Sequence, residues 1–311
     1  MRSWWRDLGD LVLPAECGGC GRPRAVLCAA CRTALTGAEP GRVRPVPEPP
    51  GLPPVHAAAP YADAVRAALL AHKERGALAL SRPLGVALAG AVRAGLRAAV
   101  PVPRGCAGGG AWGGPVLLVP VPSARRAVRA RGHDPARRIA YAAAGELRRT
   151  GVPAGVLAAL RQRRPVADQS GLDSRQRLAN LAGALAVAPD CGRLLRRGRV
   201  VLVDDVMTTG ASLAEAARAV RAASGPPREQ TESADRDGEG SSNSASAFVY
   251  LGERREGTGQ QRKSPTTWRG AARHPARPSR EADLKGAGGG AGPVCAAVVA
   301  ASPDAFGIHR N

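Results

Sequence analysis

The stretch Arg199-Val-Val-Leu-Val-Asp-Asp-Val-Met-Thr-Thr-Gly-Ala-Ser212, continued by Leu213-Ala-Glu-Ala-Ala-Arg-Ala-Val-Arg-Ala-Ala223, decides the fold. Four consecutive branched apolar residues, Val200 to Val203, predict a strand buried on both faces, since a strand covered on one face would alternate apolar with polar. The Ala-rich run after Ser212 has the composition and period of a helix. Working outward, Val116-Leu-Leu-Val-Pro-Val-Pro122 is a second apolar run of strand length, closed by prolines. Val55 to Tyr61 and Gly292 to Ser302 are further strand candidates, and Ala62 to Leu70, Leu78 to Ala99 and Ala136 to Arg149 read as helices. The span Ser123 to Pro135 is basic and turn-rich. Leu157 to Arg164, then Asp168 to Leu172, then Arg175 to Leu181 read as strand, loop and helix. Alternating strands and helices imply an α/β fold, a mostly parallel sheet flanked by helices, with its ligand crevice at the carboxyl ends of the strands.

Asp204 and Asp205 close the apolar strand, where burial without a partner is costly. The residues after them, Met207-Thr-Thr-Gly-Ala-Ser212, can curl around an anion with backbone N–H groups, three hydroxyls and a helix N-terminus. Acids beside an anion nest are reconciled by a sugar phosphate: carboxylates accept from vicinal hydroxyls or hold a divalent cation, and the loop takes the phosphate. The plainer reading is an N-capping Thr or Ser after an ordinary strand with solvated acids.

Cys17-Gly-Gly-Cys20 and Cys28-Ala-Ala-Cys31 are two C-x-x-C pairs seven residues apart. Two such knuckles complete the tetrahedral thiolate shell that Zn²⁺ prefers, and four protein ligands leave no open position, so the site would be structural. A pair of redox thiols is the alternative. Cys191 and Cys295 are expected to be buried as small apolar residues.

The chain has 311 residues, enough for one or two domains, with 39 Gly, 27 Pro and only 3% aromatic residues, so Ala, Val and Leu must build the core. Residues 37–54 are rich in Pro and Gly and read as a linker that cannot form a continuous helix or central strand. Residues 226–291 turn polar, with 11 basic and 9 acidic residues, and are expected to be a disordered insertion before the last strand. That tract therefore carries only +2 of the net +20, and the remaining +18 favours phosphate-bearing partners for the rest of the chain. No apolar run suggests a membrane span and the N-terminus lacks a signal-peptide core, so the expected compartment is the cytoplasm. No Ser-His-Asp or metal-hydrolase constellation is apparent, and His72 and His133 stand alone in sequence.

Val201 to Ser212 resembles the signature of the type I phosphoribosyltransferases: an apolar strand, two acids, a Thr-rich glycine loop and a helix. The wider layout resembles the ComF (competence protein F, GntX-like) family. The residues that carry this are the four cysteines, Lys73 before the first long helix, Val119 to Pro122, Arg129 to Gly132, and Gln169 to Asn180. The chain departs from that pattern at Gly132-His-Asp, where an aromatic residue and Asn are more usual, and in the 226–291 tract.

The resemblance implies a phosphoribosyltransferase-like (Rossmann-like) domain over 55–225 plus 292–303, after a zinc module at 10–36. It implies binding of 5-phosphoribosyl-1-pyrophosphate with Mg²⁺. Asp204 and Asp205 would serve the ribose hydroxyls, and Thr208, Thr209, Gly210, Ala211 and Ser212 the 5-phosphate. Lys73 and Arg125 or Arg131 are candidates for pyrophosphate, with a solvated helix-end lysine and a solvated or nucleic-acid-facing arginine run as the ordinary readings. The activity implied is phosphoribosyl transfer to an unidentified acceptor. The competing class is a non-catalytic DNA-uptake or competence accessory that binds single-stranded DNA or competence proteins. Few aromatic residues argue against a base-stacking platform.

Overall fold

In a computed structural model the described residues are 16–99, 115–164, 174–224, 249–250 and 295–307. They form a mixed α/β fold around a seven-stranded sheet in the order β1-β2-β9-β7-β3-β4-β8. These strands are β1 (Gly41–Val43), β2 (Val55–Pro60), β3 (Val116–Pro120), β4 (Ala154–Leu157), β7 (Arg199–Met207), β8 (Val249–Tyr250) and β9 (Cys295–Ala301). The five inner strands pair in parallel, and β1 and β8 close the edges antiparallel. A separate antiparallel pair joins β5 (Leu160–Gln162) to β6 (Leu185–Val187). The helices are α1 (Ala29–Thr36), α2 (Asp63–Glu74), α3 (Ser81–Ala99), α4 (Arg125–Arg131), α5 (Pro135–Arg149), α6 (Ser174–Leu181), α7 (Cys191–Leu195) and α8 (Ala211–Ser224).

The apolar run of β7 is buried on both faces, and its residues divide between two cores by parity. Val201 and Val203 join Leu118, Val299 and the apolar sides of α2, α3 and α5, together with Leu27 and Leu35 of the cysteine module. Val200 and Leu202 join Val119, Val298 and the inner faces of α7 and α8. A strand whose alternate residues feed two cores has no polar face, which is why the hydrophobic run is continuous. At about 25 cal/mol per Å² of apolar area, burying a Val or Leu here contributes about 1.5–3 kcal/mol, so a polar substitution within Val200 to Val203 is expected to unfold the sheet locally. Cys191 and Cys295 are both buried in these cores, as their apolar surroundings in sequence imply.

Three segments differ from the sequence-based expectation. Ser123 to Pro135 is not simply turn: Arg125–Arg131 forms α4, ended by Gly132 in the left-handed conformation. Its helix-forming Arg and Ala content outweighs the flanking Pro and Gly. The Pro/Gly-rich stretch is more than a connection, since β1 lies within it, Val43 is buried, and Arg221 Nη2 donates to the Gly51 carbonyl at 2.6 Å. Val249 and Tyr250, inside the polar tract, add β8 on the outer side of β4, where an edge strand needs only one partner. The rest of that tract lies outside the described residues, as does the Asp168 to Leu172 loop.

The chain runs from β3 through α5 to β4 on one side, whereas β7 lies on the other side of β3. This reversal of direction makes a topological switch point at the carboxyl ends of β3 and β7, the place where open parallel sheets leave a crevice. Among the described residues no helix is long and apolar enough to cross a membrane.

Candidate functional site

β7 outruns its neighbour at the switch point. The last contact from β3 is Val121 N donating to the Val203 carbonyl at 2.9 Å, and Asp204 and Asp205 come immediately after. Their carboxylates accept from the adjacent backbone: Asp204 Oδ1 accepts from Asp205 N at 2.8 Å, and Asp205 Oδ1 from Val206 N at 2.9 Å. Such local side-chain bonds suit Asp where the pairing with β3 ends while that with β9 continues to Met207.

The second oxygen of Asp205, Oδ2, lies 3.4 Å from Lys73 Nζ at the end of α2. The structure thus brings together Lys73, Asp204 and Asp205, far apart in sequence. Asp205's negative charge raises the Lys73 pKa despite its burial, so the ammonium is kept. Asp204 is pushed well above the usual carboxylate range, by burial first and then by the charge of Asp205. The Lys73 ammonium therefore stands beside one carboxylate, Asp205, and one carboxyl group, Asp204, whose charged form burial disfavours. That donor set fits a divalent cation or a vicinal diol.

Thr208, Thr209 and Gly210 form the turn into α8, with Ala211 and Ser212 opening the helix. Gly210 has φ +75°, and a Cβ there would stand 3.1 Å from Leu52 and 3.3 Å from Pro45 of the overlying Pro-rich stretch. Glycine is favoured on both counts. The first N–H groups of this 14-residue helix have no intrahelical acceptor and carry the positive end of its dipole. Glu215 in the first turns would oppose an anion, but it is buried and turned aside. It accepts from Leu185 N at 3.0 Å and from Arg218 Nε at 2.7 Å. Burial alone would raise its pKa, and the bonds from Arg218 and Leu185 overcome that and lower it, so its charge is neutralised locally.

Arg131 reaches the site indirectly: its Nε is 3.0 Å from Glu74 Oε2, next to Lys73. Arg125 is exposed at the start of α4 and joins none of these contacts. Sequence reasoning missed Glu74 and the role of the two histidines. His133 Nε2 lies 3.2 Å from the His72 carbonyl, and the two rings meet edge to face at 5.7 Å. His72 is buried and neutral, its pKa lowered to about 4 by burial and the neighbouring His133. About sixty residues separate these partners, so no spacing rule could pair them.

The four cysteines form one cluster whose Sγ atoms all lie within 4.8 Å of one another. Zn–S bonds of about 2.3 Å in a tetrahedron set each S–S edge at about 3.8 Å, close to the 3.6 Å between Cys20 and Cys28. Cys17 is pushed up by burial, but backbone N–H donors of Cys28, Cys20 and Gly19 overcome this and lower it to about 6. Cys31 is raised, by burial and then by the other thiols. Stabilised thiolates that oppose ionisation of the last one make a donor set that can hold a metal ion such as zinc. A Cβ on Gly19 would stand 2.8 Å from Cys31 Sγ and 3.2 Å from the Ala64 carbonyl of α2, so the knuckle closes only with glycine here.

No family model and no curated protein matches this chain.

Proposed function

We propose that this protein is a ComF-like member of the type I phosphoribosyltransferase class, with a structural Zn²⁺ in the cysteine cluster. It would bind 5-phosphoribosyl-1-pyrophosphate with Mg²⁺ and transfer phosphoribosyl to an acceptor. One observation carries the reading: paired carboxylates facing Lys73 are followed on the same strand by an anion-accepting loop, at the switch point of a parallel sheet. Asp204 and Asp205 would hold the ribose hydroxyls, directly or through a Mg²⁺ ion that would supply counter-charge for pyrophosphate. Residues 208–212 hold the 5-phosphate, and Lys73 with Arg131 offers positive charge to the pyrophosphate.

The acceptor's nucleophile bonds to C1 as the C1–oxygen bond breaks. The electron pair of that bond leaves with pyrophosphate, and the proton shed by the acceptor passes to water. The oxocarbenium character of such a transition state favours nearby carboxylates, and the protein's contribution is positioning and electrostatics. Titration calorimetry of phosphoribosyl pyrophosphate with Mg²⁺ tests the reading. Saturable binding to the parent, lost in Asp204→Asn/Asp205→Asn, supports it; absence of binding to a folded, zinc-loaded parent refutes it.

A second reading, a non-catalytic nucleic-acid-binding protein, is favoured by one feature: Arg125, Arg126, Arg129, Arg137 and Arg138 are all exposed on neighbouring helices. Binding of single-stranded DNA with a steep logarithmic dependence on salt would support it.

A further inference from the structure

His133 stands where the resemblance expects an aromatic residue, and its ring does what a hydrocarbon ring cannot. Nε2 lies 3.2 Å from the carbonyl oxygen of His72, and Nδ1 lies 3.2 Å from that of Arg131. His72 directly precedes Lys73, so one anchored carbonyl sits beside the cation that meets Asp205. The other belongs to Arg131, whose guanidinium pairs with Glu74 at 3.0 Å. The His72 carbonyl lies in the last turn of α2, where carbonyls lack intrahelical donors, so the bond from His133 also caps the helix from outside. Gly132, left-handed at φ +75°, lets the chain turn back so that the His133 ring faces the carbonyl two residues earlier.

We propose that His133 is a positioning residue: by bracketing the His72 and Arg131 carbonyls it holds Lys73 beside the Asp204–Asp205 pair and Arg131 against Glu74. Both partners are carbonyl oxygens, which only accept, so each contact takes a ring N–H. A neutral ring supplies one, and an imidazolium supplies both. Asp134, the next residue, keeps the bracket in place: it accepts from Ser123 N at 3.3 Å and from Arg137 N at 3.2 Å, tying the end of β3 to the start of α5. Phenylalanine would preserve the edge contact with His72 and donate to neither carbonyl, whereas glutamine could still donate to one.

The chain has three lysines, Lys73, Lys263 and Lys285, so acylation of Lys73 can be read by mass spectrometry with the other two as internal references. Protonated by its contact with Asp205, Lys73 in the parent should label slowly. In His133→Phe its relative labelling rate should rise about tenfold, the loss of one to two net hydrogen bonds, and His133→Gln should fall between. An unchanged Lys73 rate in a folded His133→Phe protein overturns the proposal, and this result needs no ligand.

A second arm rests on the sugar-phosphate reading. Affinity for Mg²⁺ and phosphoribosyl pyrophosphate should fall about tenfold in His133→Phe by the same hydrogen-bond loss, with ribose 5-phosphate affinity unchanged. A parallel loss of both ligands would show a merely structural role and overturn the positioning claim. A parent that binds neither ligand would defeat the sugar-phosphate reading, while the labelling rates still decide the role of His133.

Discussion

Replacing Lys73 by Met removes the ammonium that faces Asp205 while keeping much of its aliphatic stem. At the observed 3.4 Å separation, the pair interacts by about 5 kcal/mol at an effective dielectric of about 20. The Lys73 side chain is 36% exposed and that of Asp205 11%, so water screens the cation and desolvation cancels part of the gain. The net loss should be about 1–2 kcal/mol, above a surface pair and below a fully buried one. For a domain of this size that corresponds to a melting temperature lower by about 3–6 °C. The deficit should depend on pH. Asp204 already titrates above its unfolded value, so the folded state binds more protons than the unfolded one between the two, and stability falls as pH rises through that window. Without Lys73 the Asp204 pKa climbs further and the window widens. Thermal melts of parent and Lys73→Met at pH 5 and pH 8 check this: the deficit should be smaller at pH 5. No deficit at either pH would refute the assignment of Lys73 as the counter-charge.

The remaining expectations concern the loop and the cysteines. Gly210→Ala places a Cβ against Leu52 at a left-handed backbone and should cost about 1 kcal/mol. It should also weaken phosphate-bearing ligands more than it lowers the melting temperature, as calorimetry beside thermal melts would show. On the proposed reading, Cys17→Ser should lower the metal content and the stability by several degrees while phosphoribosyl pyrophosphate binding is kept. Equal metal content in mutant and parent, measured by elemental analysis, would sink the four-thiolate assignment.

The parallel α/β character was legible because burial on both faces writes a continuous apolar run, as in Val200 to Val203 and Cys295 to Ala301. The acid pair, the following loop and the cysteine cluster were legible for a related reason: each is contiguous or evenly spaced in the chain, and local geometry alone brings its groups together. Contacts between distant segments left no such trace. Arg131 and Glu74 are 57 residues apart, and His133 and His72 61. The short strands β4, at Ala154–Leu157, and β6 were hidden because three or four residues carry too little periodicity to identify a strand. Packing also reassigned the Pro-rich stretch. Pro45 and Leu52 cover Gly210, so residues that read as a connection help shape the loop.

The cysteine module and the acid pair meet opposite ends of one helix. Twelve residues of α2 span about 18 Å, with Gly19 against its first turn at Ala64 and Lys73 in its last. The first turn is therefore held through the knuckle and through the core that Cys17, Cys28 and Cys31 share with Leu69, Leu80 and Leu84. The last turn has its own attachments: Lys73 to Asp205, Glu74 to Arg131, and the His72 carbonyl to His133. Loss of a metal held by the cysteines would loosen the first set and leave the second, since Asp204 and Asp205 belong to a strand fixed by its parallel neighbours β9 and β3 and the loop at 208–212 follows directly from it. This is why metal removal should cost stability before it costs ligand binding, and why a substitution at His133 should do the reverse.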